Sequence, residues 1–283
     1  MVSYLEFSKD VAREAGRLLL DHLGDRHVMQ RKSSRIDLVT EVDRLSQDLI
    51  VSRIRRAFPG HGVVAEEGGE HVPDANDAGG EYVWFVDPLD GTTNYLHQMP
   101  FFSVSLALCR DLRPQVGVVY APCTDEMFWA EAGGGAYGDG GLLHVSDVDS
   151  LHRALVSTGF PYLREPGSDN NLAEFARVMP VVQDVRRWGS AALDLAYLAA
   201  GRCDAYWEFY NRPWDILAGV LLVQEAGGRV SPIRPGDILQ GASGILASNG
   251  HIHESLRALL TAGCPAGGGV GRRRWMGKQR GSG

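Results

Sequence analysis

Cysteine is scarce. Cys109, Cys123, Cys203 and Cys264 are the only four in 283 residues, and no two form a CxxC pair. That scatter offers neither a zinc-binding spacing nor a disulfide framework, so they read as reduced cysteines of a cytoplasmic protein. Long apolar runs are absent as well. No stretch reaches the roughly 18 residues of a membrane-spanning helix. The opening segment MVSYLEFSKDVAREAGRLLLDHLG is interrupted by Glu6, Lys9, Asp10, Arg13 and Glu14, and so lacks the apolar core of a secretory signal. Positive charge is also in deficit. There are 28 Lys and Arg against 35 Asp and Glu, a net charge of -7, which argues against a general nucleic-acid binder. What remains is an ordinary globular composition, 44% hydrophobic and 22% charged. The length suits one large domain or two closely packed ones.

Periodicity orders the first half. Val11, Ala15, Leu18, Leu19, His22 and Leu23 recur at helical spacing, with Gly24 as the stop. A second helix is expected from Thr40, with Val42, Leu45, Leu49 and Ile50 on its apolar face and Pro59-Gly60 closing it. Strands follow: GVVAEEGG, EYVWFVDP, FFSVSLALC and QVGVVYAP, the last two joined by a polar turn at 110–114. Pro88 is expected to end its strand, because proline does not continue a central one. MFWAEAGGGAYGDGG holds fragments of a nucleotide-type glycine pattern. It reads as a strand and glycine-rich hairpin instead, since no long helix follows.

The second half alternates more regularly. ALVSTGF, CDAYWEF and GILASN read as strands, and NNLAEFARVMPVV, SAALDLAYLAAG, WDILAGVLLVQEAGG and HESLRALLTAG as helices. Ser190 is the expected N-cap of the second of these helices and Gly201 its stop. An α+β part over 1–145 followed by an α/β part over 146–263 is therefore predicted, the change falling near His144 to Asp149. Residues 264–283, CPAGGGVGRRRWMGKQRGSG, are glycine-rich, basic and aperiodic. They read as a disordered tail, or alternatively as an arm for nucleic acid or a partner.

Five acids stand out by position. Glu66 and Glu67 follow the apolar run VVA, Asp87 and Asp90 follow VWFV, and Asp215 opens an apolar helix after Pro213. Singly, each has a plain explanation: a solvated acid at a strand end or, for Asp215, a helix N-terminal acid satisfying free amides. Together they deliver carboxylates from three segments to strand ends, where ligands gather in layered α/β proteins. A carboxylate cluster without His or Cys suits hard cations. Two Mg²⁺ ions about 3.5–4 Å apart share a bridging carboxylate and clamp a phosphoryl group. Gly91, Thr92 and Thr93 begin a turn or helix whose free N–H groups suit phosphate oxygens. The Thr92 hydroxyl needs an acceptor to orient it, and Asp43 offers one. Asp43 also completes a T-x-x-D capping box with Thr40, and both roles can hold together.

DPLDGTTN, the upstream EE pair and the downstream WDILAGVLLVQEAGG together resemble the inositol monophosphatase family, over roughly residues 5 to 262 and in the family's order. The resemblance implies an αβαβα layered sugar-phosphatase fold and a Mg²⁺-dependent, lithium-sensitive phosphomonoesterase. It implies that Glu66, Asp87 and the Leu89 carbonyl hold one Mg²⁺, that Asp87, Asp90 and Asp215 hold a second, and that a third sits near Glu66. It assigns the attacking water to Thr92 oriented by Asp43, with Glu67 nearby, and the phosphate to the Gly91 and Thr92 amides. Lys32 matches a family lysine near the metals, or is a solvated loop lysine. Gly189, Ser190, Ala191 and Glu208 match the sugar side, joined by Asp90, although Glu208 also reads as an edge-strand acid. The DGTTN form favours inositol 1-phosphate or a related sugar phosphate. Phosphoadenosine phosphate, fructose 1,6-bisphosphate and histidinol phosphate are the alternatives within the superfamily. A regulatory RNA- or transcription-associated binding protein on this fold is the alternative outside catalysis. A homodimer is implied. The loop PYLREPGSDN and the basic tail depart from the family's pattern.

Overall fold

Ser3 accepts from the Glu6 N–H and so opens α1 (Tyr4–Asp21), the first element of the computed structural model, which describes residues 3–25, 30–31, 38–39, 41–68, 82–162 and 170–262. Phe7, Val11, Ala12, Ala15 and Leu19 form the buried stripe of α1. The helix ends at Asp21, short of the expected stop. His22 caps it, and Gly24 turns the chain away with φ +94°. β1 (Gln30–Arg31) and β2 (Leu38–Val39) form a small antiparallel pair ahead of α2 (Glu41–Ala57). The buried face of α2 is Val42, Ser46, Ile50 and Ile54, with Asp43 and Gln47 beside them. That stripe leaves Leu45 41% exposed, against expectation, because it lies about a quarter-turn off the row.

Seven strands form the first sheet: β3 (Gly62–Ala65), β4 (Tyr82–Asp90), β5 (Ser103–Arg110), β6 (Arg113–Ala121), β7 (Glu126–Glu131), β8 (Gly135–Gly138) and β9 (Gly141–Leu142). They lie in chain order, β3 and β4 parallel and the others antiparallel. The turn between β5 and β6 places Asp111 and Leu112 at φ +51° and +59°, the pairing of signs a two-residue hairpin requires. The short helix α3 (Thr92–Leu96) sits between β4 and β5.

The second sheet follows: β10 (Leu155–Thr158), α4 (Leu172–Val178), β11 (Asp184–Arg186), α5 (Ala191–Ala199), β12 (Ala205–Glu208), α6 (Pro213–Glu225), β13 (Arg229–Pro232), β14 (Ile245–Ser248) and α7 (His253–Thr261). Its strand order is β11-β10-β12-β14-β13. The sequence reading missed β11 and β13, whose residues are all only partly buried or exposed and carry no clear alternation. It also drew α4 too long.

Each sheet is buried on both faces, which is why its inner strands read as continuous apolar runs. Val63, Trp84, Val86, Leu106 and Val118 pack against α1 and α2. On the opposite face Val64, Phe85, Ala107 and Val119 pack against α5 and α6. Tyr206, Ile245 and Ala247 of the second sheet join that same central core. Its outer face, Val156, Trp207 and Leu246, meets Val178 of α4 and Leu256 and Leu260 of α7. Helix pair, sheet, helix pair, sheet and helix pair alternate, giving the expected αβαβα layers. No helix among the described residues is long and apolar enough to cross a membrane.

Candidate active site

β4 does not stop at Pro88 as expected but runs on to Asp90. Proline is tolerated because pairing has lapsed on both sides. β3 pairs only as far as Ala65 opposite Val86, and the register against β5 shifts between Asp87 and Asp90. This bulge turns both acids of DPLD toward one end of the sheet. Ser46 of α2 donates to the Pro88 carbonyl at 2.9 Å and fixes the kink. Gln47, one residue on, accepts from the Glu67 N–H at 2.8 Å and donates to the Gly68 carbonyl at 2.9 Å. The acid pair after β3 is thereby pinned beside the acids after β4. Neither Ser46 nor Gln47 was found from sequence. The only signal was two polar residues inside an apolar helical stripe.

The carboxylates repel one another. Burial, then the charges of Glu66, Asp90 and Asp215, and a hydrogen bond shared with Glu66, hold Asp87 well above the usual carboxylate range. Asp90 is pushed up to about 7 by burial, against the pull of the Ser190 hydroxyl and the Ala192 N–H, with Glu66 and Glu208 adding to the rise. Asp215 is raised by burial and by Glu66, although the Arg212 N–H opposes this. Asp215 does cap its own helix: Oδ2 accepts from the Arg212 N–H at 2.6 Å, which leaves Oδ1 for other work. Among the described residues no group of three or more His, Cys, Asp or Glu is closed to metal-holding spacing. The donor set is nevertheless all oxygen, desolvated and mutually repelling, and so fits a hard divalent cation that would draw it together.

At the head of this cluster the Thr92 hydroxyl lies 3.2 Å from Asp43 Oδ1 and 3.2 Å from the Leu89 carbonyl. Asp43 is fully buried on α2. The expected Thr92–Asp43 pairing is therefore present in the fold, 49 residues apart in sequence. Gly91 precedes α3 at φ +97°, and a Cβ there would meet the Phe101 and Gly189 carbonyls at 3.1 and 3.2 Å. A side chain is excluded by both backbone and space. Thr93 is exposed and stands apart from the Asp43 pair. Lys32 and Thr40 lie outside the described residues, as do most of the PYLREPGSDN loop and the basic tail.

The second sheet supplies the opposite wall. Ser190 caps α5, accepting from the Leu193 N–H, and its hydroxyl donates to Asp90 Oδ2 at 2.6 Å. The Ala192 N–H donates to the same oxygen at 2.8 Å. Of the expected Gly189-Ser190-Ala191 segment, Ser190 meets Asp90 directly, joined by Ala192, which the sequence reading did not name. Asn94 of α3, also missed from sequence, clamps the approach by donating to the Phe101 and Trp188 carbonyls, both at 2.7 Å. Glu208 ends β12, which lies between β10 and β14, so it is an inner-strand acid and not an edge acid. Its Oε2 accepts a short hydrogen bond from Tyr206, and its charge reaches both Asp90 and Asp215.

Comparison with known proteins agrees with this geometry. The model of the inositol monophosphatase family matches residues 1–263. A protein of Synechocystis named inositol-1-monophosphatase is 40% identical over 260 residues, covering 92% of this chain and 89% of its own. A Pseudomonas aeruginosa protein named Nus factor SuhB is also 40% identical, covering 92% and 96%. The solved inositol monophosphatase of Anabaena superposes with a TM-score of 0.81 at 43% identity, covering 91% and 95%. A family match over residues 1–263, with an αβαβα fold shared over nine-tenths of the chain, makes this protein a phosphatase belonging to the inositol monophosphatase family.

Proposed function

We propose that the protein hydrolyses a phosphomonoester of a ring polyol, inositol 1-phosphate or a related sugar phosphate, with Mg²⁺ as cofactor. The observation that carries this reading is the meeting of Glu66, Asp87, Asp90 and Asp215, from three segments, at the end of β4. When bound, two or three Mg²⁺ ions would neutralise the phosphate and the leaving alkoxide and acidify water. Glu66, Asp87, Asp90, Asp215 and the Leu89 carbonyl would hold them. Asp43 and the Leu89 carbonyl compete for the single Thr92 proton, so the Thr92 oxygen keeps lone pairs to accept from water. That water is aimed at phosphorus, with the Glu67 carboxylate beside it to take a proton. The Gly91 and Thr92 amides receive phosphate oxygens, and Thr93 borders them. Asp90 Oδ1, Ser190, Gly189, Ala191 and Glu208 face the alcohol. Lys32 would add charge near the phosphate.

The test is phosphate release from inositol 1-phosphate, fructose 1,6-bisphosphate, phosphoadenosine phosphate and histidinol phosphate, with Mg²⁺ and with chelator. Chelator-sensitive turnover led by inositol 1-phosphate is expected. Chelator-resistant turnover would refute the metal assignment, and another leading ester would move the substrate within the superfamily. Added Li⁺ should inhibit, light scattering should show a homodimer, and fractionation should find the protein in the cytoplasm.

A second reading rests on the relative named Nus factor SuhB and on the basic segment 264–283. In it the chain also binds RNA or a transcription complex. Deleting 264–283 without changing RNA or polymerase binding would remove its support from this sequence.

A further inference from the structure

Glu208 is held more firmly than a substrate-facing acid needs to be. Tyr206 lies two residues earlier on β12, on the same face, and its hydroxyl donates to Glu208 Oε2. Tyr206 is fully buried, and burial, with the Glu208 charge behind it, pushes its hydroxyl well upward, so it stays a donor. Asn211 backs the pair, its amide 3.3 Å from the Tyr206 oxygen. On the other side the carboxylate lies against Gly159. A Cβ there would come within 2.1 Å of Oε1 and 2.2 Å of Oε2. Gly159 has no room to retreat, because Asn171 donates to its carbonyl at 2.6 Å and to the neighbouring Thr158 hydroxyl at 2.8 Å. Arg187 is the cation that favours the ionised carboxylate. The acid thus sits between two hydrogen-bond donors, Tyr206 and Asn211, and one bare stretch of backbone.

From this geometry we infer that Tyr206 and Gly159 are specificity-determining positioning residues, which aim the Glu208 carboxylate at a hydroxyl of the leaving alcohol. With Tyr206 fixing Oε2, the lone pairs the carboxylate has left are the acceptors offered to the substrate. The inference rests on the polyol phosphatase reading and adds to it what selects the alcohol. Tyr206→Phe frees the carboxylate to rotate without changing the volume much. Gly159→Ala displaces it sterically and leaves Tyr206 intact. The two changes reach the same endpoint by different routes, so a folding defect in one does not decide the matter.

The experiment measures kcat and KM of the full chain with Mg²⁺ on inositol 1-phosphate and on p-nitrophenyl phosphate, whose leaving group has no spare hydroxyl. Loss of one hydrogen bond to a charged acceptor should raise KM for inositol 1-phosphate about tenfold in each variant. Values for p-nitrophenyl phosphate should stay within about twofold, as no bond to Glu208 is lost. On a Glu208→Gln background, Tyr206→Phe should add no further loss, because the residue acts only through Glu208. Equal losses on both esters, unchanged KM in both variants, or additive losses with Glu208→Gln would overturn the inference. Wild-type protein that releases phosphate from neither ester would refute the functional reading itself. Normal wild-type turnover with unaltered variants would overturn only the positioning role.

Discussion

The end of β4 and the end of β12 bring acids within electrostatic reach of one another, but they are built in opposite ways. At β4 the partners of Asp87 are Glu66, Asp90 and Asp215, so like charges are crowded by burial. At β12 the partners of Glu208 are the Tyr206 hydroxyl and the Asn211 amide, with Arg187 also favouring its charge. The first arrangement crowds negative charge that a cation would relieve, and the second balances its one acid with donors and a cation of its own.

The sharpest break of this contrast is Asp90→Asn. The amide oxygen can still accept from Ser190 and Ala192, so folding should survive and the melting temperature should hold or rise. Phosphate release should fall by about two to three orders of magnitude, the cost of several kcal/mol of lost electrostatic stabilisation. Steady-state turnover beside a thermal melt checks both halves.

Next comes cation removal across pH, where Asp90 and the buried His253 at the start of α7 have opposite slopes. Asp90 titrates at about 7 in the fold, above its ordinary 3.8, so the native state holds a proton that the unfolded chain releases. Stability stripped of cations should therefore fall as pH rises from about 4 to about 7. His253, buried between the Ser231 and Ser248 hydroxyls, is lowered to about 4 by burial. It acts the other way: stability is full above about 6.5 and is lost as pH falls toward about 4. Mg²⁺ should therefore raise the melting temperature more at about pH 7 than at about pH 5. An equal rise at both would contradict the repelling cluster.

Gln47→Ala tests how the β4 wall is assembled. It removes two buried hydrogen bonds to the Glu67–Gly68 backbone, and about 1–3 kcal/mol of stability should go with them. Urea denaturation measures this, and kcat should fall while the KM for inositol 1-phosphate changes less. Smallest is Glu208→Gln, which keeps the shape of the β12 wall and removes its charge. A KM increase of about tenfold with little change in kcat is expected, read from initial rates on inositol 1-phosphate.

Much of the fold was legible because its signals are local. Ser190 capping α5, the polar turn at Asp111–Leu112 and the apolar stripe of α1 each depend on neighbours within a few residues. The acids that meet at the end of β4 were legible because strand-end carboxylates recurred in three segments and matched one family pattern. Other features had no local signal. Leu45 looked apolar enough to be buried, yet the row that α2 turns inward carries Ser46 and Gln47 in its place. Pro88 looked like a strand end, but a bulge and the Ser46 hydroxyl carry β4 past it. The alternative of Glu208 as an edge acid fell only when β12 was found between β10 and β14.

The sequence by itself determined which residue types exist for the chemistry: hard oxygen donors without thiol or imidazole, a glycine before the turn at Thr92, and helices and strands of the right period. These follow from side-chain chemistry and backbone preference, which each residue carries wherever it stands. The tertiary structure alone decided which acids meet. Asp43 reaches Thr92 and Ser190 reaches Asp90 only because α2, β4 and α5 are stacked by burial of apolar faces, a non-directional force that acts between segments far apart in the chain.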